Sequence, residues 1–405
     1  MNPMRPFTST ISLDEAQRRL NEAITPIDRV ERVPLTAAAG RVTAADIASA
    51  VDVPPFARAS MDGYAVVAAD TRPATQGAPV RLRLLERIYT GQVARLHVER
   101  GTCAEIATGA PVPEGADAVV RVEDTGPSDD GGIETFADVS PGQNIGPRAA
   151  DIAAGALVVQ RGDLLTPSRI GALAAIGHPD VEVYVRPRVA ILSTGNEIVA
   201  PGERLGPGQI FDVNRFTLGA IVEGHGGVAE PHRTAEDTVE ALTAALDACL
   251  EADIVVFSGG SSVGERDLIL DVIAARGEMI FHGISVKPGK PTAFARIAGK
   301  PFFGMPGYPT SCLLNSYILL VPFLRATARL PAFSPRTVRV PLGRTIVATA
   351  GRHQFYPVRV SDGVALPAFK ASGDITSLSQ ADGYIEISVD QRSVEVGTLV
   401  SVTMF

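Results

Sequence analysis

Cysteine is scarce in this sequence. Three residues, Cys103, Cys249 and Cys312, stand far apart, and no CxxC pair occurs. An odd, dispersed set supports neither a disulfide framework nor a zinc site and fits a reducing cytoplasm. Positive charge is also in deficit. Lys+Arg 37 against Asp+Glu 45 leave a net charge of −8, which argues against nucleic-acid binding by a general basic field and leaves room only for a local patch. Long apolar runs are missing too. The greasiest, "LLNSYILLVPFL" from Leu313 to Leu324, is interrupted by Asn315, Ser316 and Pro322. A membrane span takes about 20 apolar residues, so a buried helix is expected and no membrane partner. "MNPMRPFTSTISLDEAQ" holds no apolar h-region, so no secretory signal is expected. Internal repeats and low-complexity tracts are absent. What remains is globular in composition: 405 residues, 45% hydrophobic and 20% charged, with 39 Gly and 30 Pro. Such a length suggests roughly two to four domains.

The chain changes character along its length. Ser12 and Glu15 stand in capping-box spacing, and Ile11, Ala16, Leu20 and Ile24 follow at helical intervals, predicting a first helix. After Val53-Pro54-Pro55, residues 56–150 read as short β runs broken by turns, such as "YAVVAAD", "VRLRLLERI" and "DAVVRVED". The polar stretch "GPSDDGG" at 126–132 predicts a hairpin or loop tip. This is a β domain inserted into a helical one, 1–55 with 151–184, whose second helix is capped by Thr166 or Ser168. From 185 to 331, continuous apolar strands ("RVAILS", "DIVVFS") alternate with helices ("NRFTLGAIVEG", "TAEDTVEALTAALDACLEA", "DLILDVIAARG"). That pattern predicts a three-layer, doubly wound, mostly parallel α/β domain. Short strands across 332–405 predict a small C-terminal β domain.

Ligands of such sheets bind at the carboxyl ends of the strands. Three strand ends here carry glycine-rich turns: "TGNEI" with Glu197, "GGSSVGERD" with Asp267, and "PGYPTSC", where Pro309, Thr310 and Ser311 open a helix. Amide groups and a helix dipole at such places suit phosphate or another oxyanion. One such turn alone is equally an ordinary strand–helix connection. Three at one edge, beside "SVKPGKPTAF", favour anion binding. There Lys287 and Lys290 are held on a Pro/Gly frame, with both backbones restrained by the following proline. Asp212 and Asp267 read as helix-end residues or as ligands of Mg²⁺, which takes one or two carboxylates plus substrate phosphates. The six histidines show no metal-ligand spacing, and Cys312 reads as a small packed residue. "GSSVG" at 260–264 formally matches a hydrolase elbow with Ser261 or Ser262 as nucleophile. Three residues separate its serine from the next helix, and no "HGGG" segment accompanies it.

Taken together, "SMDGYAV" (60–66), "ATGAPVPEGADAVV" (107–120), "GQNIGPRAADI" (142–152), "ILSTGNEI" (191–198), "GQIFDVNR" (208–215), "SGGSSVGERD" (258–267), "VKPGKP" (286–291) and "GMPGYPTSC" (304–312) resemble the MoeA family of molybdopterin molybdenumtransferases. Its eukaryotic relatives include the gephyrin E domain. The resemblance implies an elongated homodimer with the site at the subunit interface and a barrel-like C-terminal domain. It also implies Mg²⁺-dependent insertion of molybdate into adenylylated molybdopterin, with release of AMP. By motif match it assigns Glu197, Asp267, Asp62, Lys287 and Lys290 to catalysis, with Glu197 and Asp267 as Mg²⁺ ligands. It assigns Thr108, Asp151, Asp212, Asn214, Ser258, Gly259, Gly260, Ser262, Gly264, Pro306, Gly307, Pro309, Ser311 and Ser377 to substrate binding. A non-catalytic dimeric pterin-binding scaffold is the alternative the resemblance leaves open. The sequence departs from the family pattern in "FARASMDGYA", at Ala150, at Asn196, and at Tyr308, where the usual "PGNP" reads "PGYP".

Overall fold

A computed structural model describes residues 10–235, 238–259, 268–371 and 373–405. Strands Val228–Pro231, Arg188–Ser193, Ile254–Ser258 and Lys300–Met305 lie side by side in parallel. Ala293–Ile297 and Gly277–His282 extend this six-stranded sheet antiparallel. The apolar runs are continuous because both faces are covered. Val189, Ile191, Ile254, Val256, Phe303 and Met305 face one core, shared with Leu218 and Val222 of helix Asn214–Gly224 and Phe323 and Leu324 of helix Val321–Thr327. Ala190, Leu192, Val255, Phe257 and Phe302 face the other, shared with Leu242 and Leu246 of helix Val239–Cys249 and Ile273 of helix Leu268–Arg276. Alternate residues of one strand thus serve opposite layers.

Half of the capping box forms: Glu15 N–H donates to Ser12 Oγ at 3.2 Å, opening helix Leu13–Ala23, while the Glu15 carboxylate accepts from Arg18 and Arg19 instead of reaching back. Its apolar face (Leu13, Ala16, Leu20, Ala23) packs into the first of these two cores. The helical N-terminal domain expected over 1–55 and 151–184 holds, among the described residues, just this helix and Pro167–Ala175 as α-helices. The rest is short strands and turns, as its proline, glycine and β-branched residues favour. Thr166, not Ser168, caps the second helix by accepting from Arg169 N–H. The greasy run folds as helix Pro309–Asn315, a wide π turn at Ser316–Leu320, and helix Val321–Thr327. Among the described residues, no helix is long and apolar enough to cross a membrane.

Internal contacts divide the chain into two units, 1–31 with 40–42 and 183–405, and 32–39 with 43–182. The second contains a six-stranded sheet ordered Ala118–Arg121, Gly63–Val66, Thr102–Ile106, Val80–Ile88, Ile133–Thr135, Thr125–Pro127. The last two strands form the hairpin expected around 126–132. The first unit also carries a C-terminal sheet ordered Val286–Lys287, His353–Ser361, Gly383–Ile387, Leu399–Met404, Thr337–Pro341, with Val364–Pro367 paired to the second of these. It curls far enough that Leu342 bridges Ala365.

Candidate functional site

The central parallel strands end in register. Ser193 pairs with Ser258, and Ser258 with Met305, so three turns leave the sheet at one level. They touch. Thr194 N–H donates to Ser258 O at 3.0 Å, and Gly259 N–H to Met305 O at 3.3 Å. Gly259 holds φ +103°, and a Cβ there would stand 2.6 Å from Thr194 O. Only glycine lets the backbones approach so closely. Gly307 lies against Gly259 from the other side, a Cβ on it reaching 3.4 Å from Gly259 Cα.

A polar layer fixes these turns from beneath. Asn214 Nδ2 donates to Ser258 Oγ at 2.7 Å and to Gly307 O at 2.8 Å, tying two turns together. The asparagine type and its place just ahead of an apolar run suggest a helix cap at Asn214. Instead it is the first helical residue, and Asp212 Oδ1 does the capping by accepting from Arg215 N–H at 3.1 Å. The same oxygen accepts from Ser193 Oγ at 2.9 Å, and Arg215 Nε lies 3.4 Å from Asp212 Oδ2. Thr194 Oγ1, Asp212 Oδ2 and Asn214 Oδ1 are buried with no hydrogen-bond partner among the described residues. Buried polar atoms are nearly always paired, so Thr194 Oγ1 and Asn214 Oδ1, without a partner among the described residues, make this strand edge a candidate place for a polar group.

The lysine frame joins the same region. Val286–Lys287 pairs in parallel with His353–Gln354, and Lys287 Nζ donates to Thr349 Oγ1 at 2.7 Å. The Lys287–Pro288 bond is cis. Asn315, in the helix that starts at Pro309, donates to Gly289 O and so links the frame to the third turn. Lys290 is half-buried. From the C-terminal side, Asp374 O accepts from Thr310 Oγ1 at 3.0 Å, and buried Ser377 Oγ accepts from Lys370 N–H at 3.0 Å. Pro306 and Ser311 are buried in the third turn, and Gly307 is exposed. Glu197 is exposed, its carboxylate lying over Gly195, where a Cβ would stand 2.5 Å from Oε2.

Asp62 and Thr108 belong to the other unit and meet there. Thr108 donates to Asp62 Oδ1 from its N–H at 2.7 Å and from Oγ1 at 2.8 Å. The backbone bond first, then the hydroxyl bond, holds the Asp62 carboxyl below the usual carboxylate range. Asp62 borders a cleft of about 270 Å³ lined also by Tyr64, Arg87, Tyr89, Glu105 and Val122. Asp151 is exposed on a turn, its N–H donating to Val53 O. Asp267, Gly260, Ser261, Ser262 and Gly264 lie outside the described residues, and with them the hydrolase alternative.

The whole chain is similar to known proteins. Three family descriptions match in sequence order: MoeA N-terminal region (domain I and II) over 11–177, Probable molybdopterin binding domain over 190–326, and MoeA C-terminal region (domain IV) over 339–405. Molybdopterin molybdenumtransferase 2 of Mycobacterium tuberculosis is 35% identical over 406 residues, 96% of this chain and 98% of that protein. The chain belongs to the MoeA family. Molybdopterin molybdenumtransferase of Haemophilus influenzae is 31% identical, with 98% of each chain covered. The crystal structure of the molybdopterin biosynthesis MoeA protein from Pyrococcus horikosii superposes with a TM-score of 0.86 at 38% identity, covering 98% of this chain and 99% of that one.

Within this MoeA-family chain, sequence reasoning passed over Ser193, Thr194, Asn315 and Thr349, all of which shape the site. One available signal was the rarity of lysine. The chain has four, at 287, 290, 300 and 370. Three of them lie in the segments just described, in a protein that otherwise uses arginine.

Proposed function

We propose that this chain is a molybdopterin molybdenumtransferase that inserts molybdate into adenylylated molybdopterin and releases AMP during molybdenum cofactor biosynthesis. The observation that carries the reading is the buried polar layer of Thr194, Asp212 and Asn214, in which Thr194 Oγ1 and Asn214 Oδ1 have no hydrogen-bond partner among the described residues, tied through Asn315 to the Lys287–Lys290 frame. Both reactants are anions. Lys287 and Lys290 neutralise oxyanion charge, and the glycines at 259 and 307 keep side chains out of the way of the oxygens. Such fixed donors stabilise the charge that develops as the phosphoanhydride to AMP breaks.

Mg²⁺ fits these residues as an ion shared with the substrate. It takes one or two carboxylates, the rest of its shell coming from phosphates and water. Among the described residues, no three His, Cys, Asp or Glu side chains gather into a cage, while Glu197 offers an exposed carboxylate at a strand end. Glu197 would hold the ion, with Asp267 as the second candidate. Bound there, it would polarise the anhydride phosphoryl oxygen.

The same reading takes the protein as an elongated cytoplasmic homodimer whose site lies at the subunit interface. It divides the chain into 1–55 with 151–184, 56–150, 185–331 and a barrel-like 332–405. The test is incubation with adenylylated molybdopterin, Mg²⁺ and molybdate or tungstate. AMP release above a protein-free control is expected, and its absence overturns the activity.

A further inference from the structure

Tyr308 occupies the N-cap position of helix Pro309–Asn315. That position favours Asn, Asp, Ser or Thr, whose side chain accepts a first-turn N–H. A tyrosine hydroxyl sits too far out along the ring to do so, and no side-chain cap bond forms. Nor does the ring pack inside: Tyr308 is 66% exposed, whereas Thr194, Ser258, Thr310 and Ser311 around it are all buried. The side chain neither caps nor fills a core. It stands mostly exposed next to the third turn.

Its backbone is held firmly. Gly307 O, immediately before it, accepts from Asn214 Nδ2. Pro309 follows, and a residue before proline is confined to extended geometry, as φ −68° and ψ 126° show. On one side the ring edge borders Gly373, 3.9 Å from where a Cβ would be, so no side chain of that residue covers it. An aromatic side chain on a fixed backbone, mostly exposed among the described residues and beside glycine turns, is suited to a flat nitrogen heterocycle.

We propose that the Tyr308 ring stacks on a fused heteroaromatic ring of the substrate, the pterin or the adenine of its nucleotide. The inference rests on the functional reading above and adds a residue that selects the organic part of the substrate rather than its anionic groups.

The test titrates three ligands separately, AMP, molybdopterin and inorganic molybdate, into wild-type protein and the variants Tyr308→Phe, Tyr308→Leu and Tyr308→Asn. Stacking of a base on an aromatic side chain is strong enough that its loss should weaken binding about tenfold. Tyr308→Phe should keep wild-type affinity. Tyr308→Leu and Tyr308→Asn should lose about tenfold for AMP if the adenine stacks, or for molybdopterin if the pterin does. Molybdate affinity should stay unchanged throughout. Tyr308→Asn should also raise Tm by restoring the cap, so stability and affinity move in opposite directions. Wild-type affinity for both organic ligands in the Leu and Asn variants overturns the stacking role and leaves the activity standing. A matching loss of molybdate affinity also overturns it, because it would mean the cradle itself has shifted. Failure of the wild-type protein to bind either organic ligand overturns this inference and the functional reading together.

Discussion

The side-chain amide of Asn315 donates to Gly289 O at 2.9 Å and to Thr292 Oγ1 at 2.6 Å. One residue of the greasy helix thereby fixes the peptide between the two lysines. Asn315→Leu leaves that buried turn short of a donor and should cost about 1–3 kcal/mol, read from the urea midpoint, with weaker molybdate binding. Gly289→Ala attacks the same contact from the other side. With φ +98° and a Cβ placed 2.2 Å from Asn315 Nδ2, it should cost about 3 kcal/mol. Wild-type stability in both variants would show that the turn does not depend on this contact.

Lys290→Ala removes a charge from the frame without touching the sheet. Loss of a charge-assisted hydrogen bond corresponds to about 1–3 kcal/mol, so the molybdate Kd should rise roughly 5- to 150-fold. Glu197→Gln should fold normally, its side chain being exposed, and should slow AMP release while leaving Tm within a degree or two. Equal rates for variant and wild type would remove Glu197 from the mechanism.

All three cysteines are free and buried, and burial pushes each thiol up to about 12. A disulfide reagent at pH 8 should therefore find no reactive thiol in the native protein and three after denaturation. The sign of the linkage follows. A thiol whose folded pKa lies above its unfolded value contributes stability that is complete below pH 9 and drains away as pH rises toward 12. Alkaline denaturation across that window is the expected signature.

Asp62 titrates the other way. Its carboxyl is held low by Thr108, so the linked stability is present above the ordinary carboxylate range and is lost as pH falls through the lowered folded value. Thr108→Val deletes the hydroxyl donor and keeps the N–H donor. The Asp62 pKa should rise part of the way back, observed as a shifted carboxyl ¹³C titration. No shift would mean that the N–H bond alone sets the value.

The α/β layers were legible because burial on both faces removes any polar alternation, as in Arg188–Ser193 and Ile254–Ser258. Local chemistry was legible as well: Ser12, Thr166 and the 126–132 hairpin are short-range decisions. The long helix was expected from Thr234 and is seen from Val239, capped by Thr238. Thr234 has an acid three residues on, at Asp237, whereas Thr238 has Ala241 there, so the spacing pointed to the wrong threonine. Long-range choices were not legible. Nothing in "SLDEAQRRL" says that Leu13 and Leu20 pack into the α/β core. An asparagine inside a greasy run reads as an interruption until its partner, 26 positions away, is known. The site was readable as residue types at strand ends. Of its buried supports, Asp212 and Asn214 were reached by motif match, while Thr194 became visible only once the sheet brought three turns to one level.

Between His282 and Ala293 the chain leaves the α/β sheet, lends Val286–Lys287 to the edge of the C-terminal sheet beside His353–Gln354, and returns. A protein cut after residue 331 would retain every strand of the α/β sheet. Yet it would strip Lys287 of its neighbouring backbone and of the Thr349 hydroxyl. The last 74 residues are therefore more than an appendage: they hold Lys287 in place, and truncation there should abolish AMP release while sparing most of the fold.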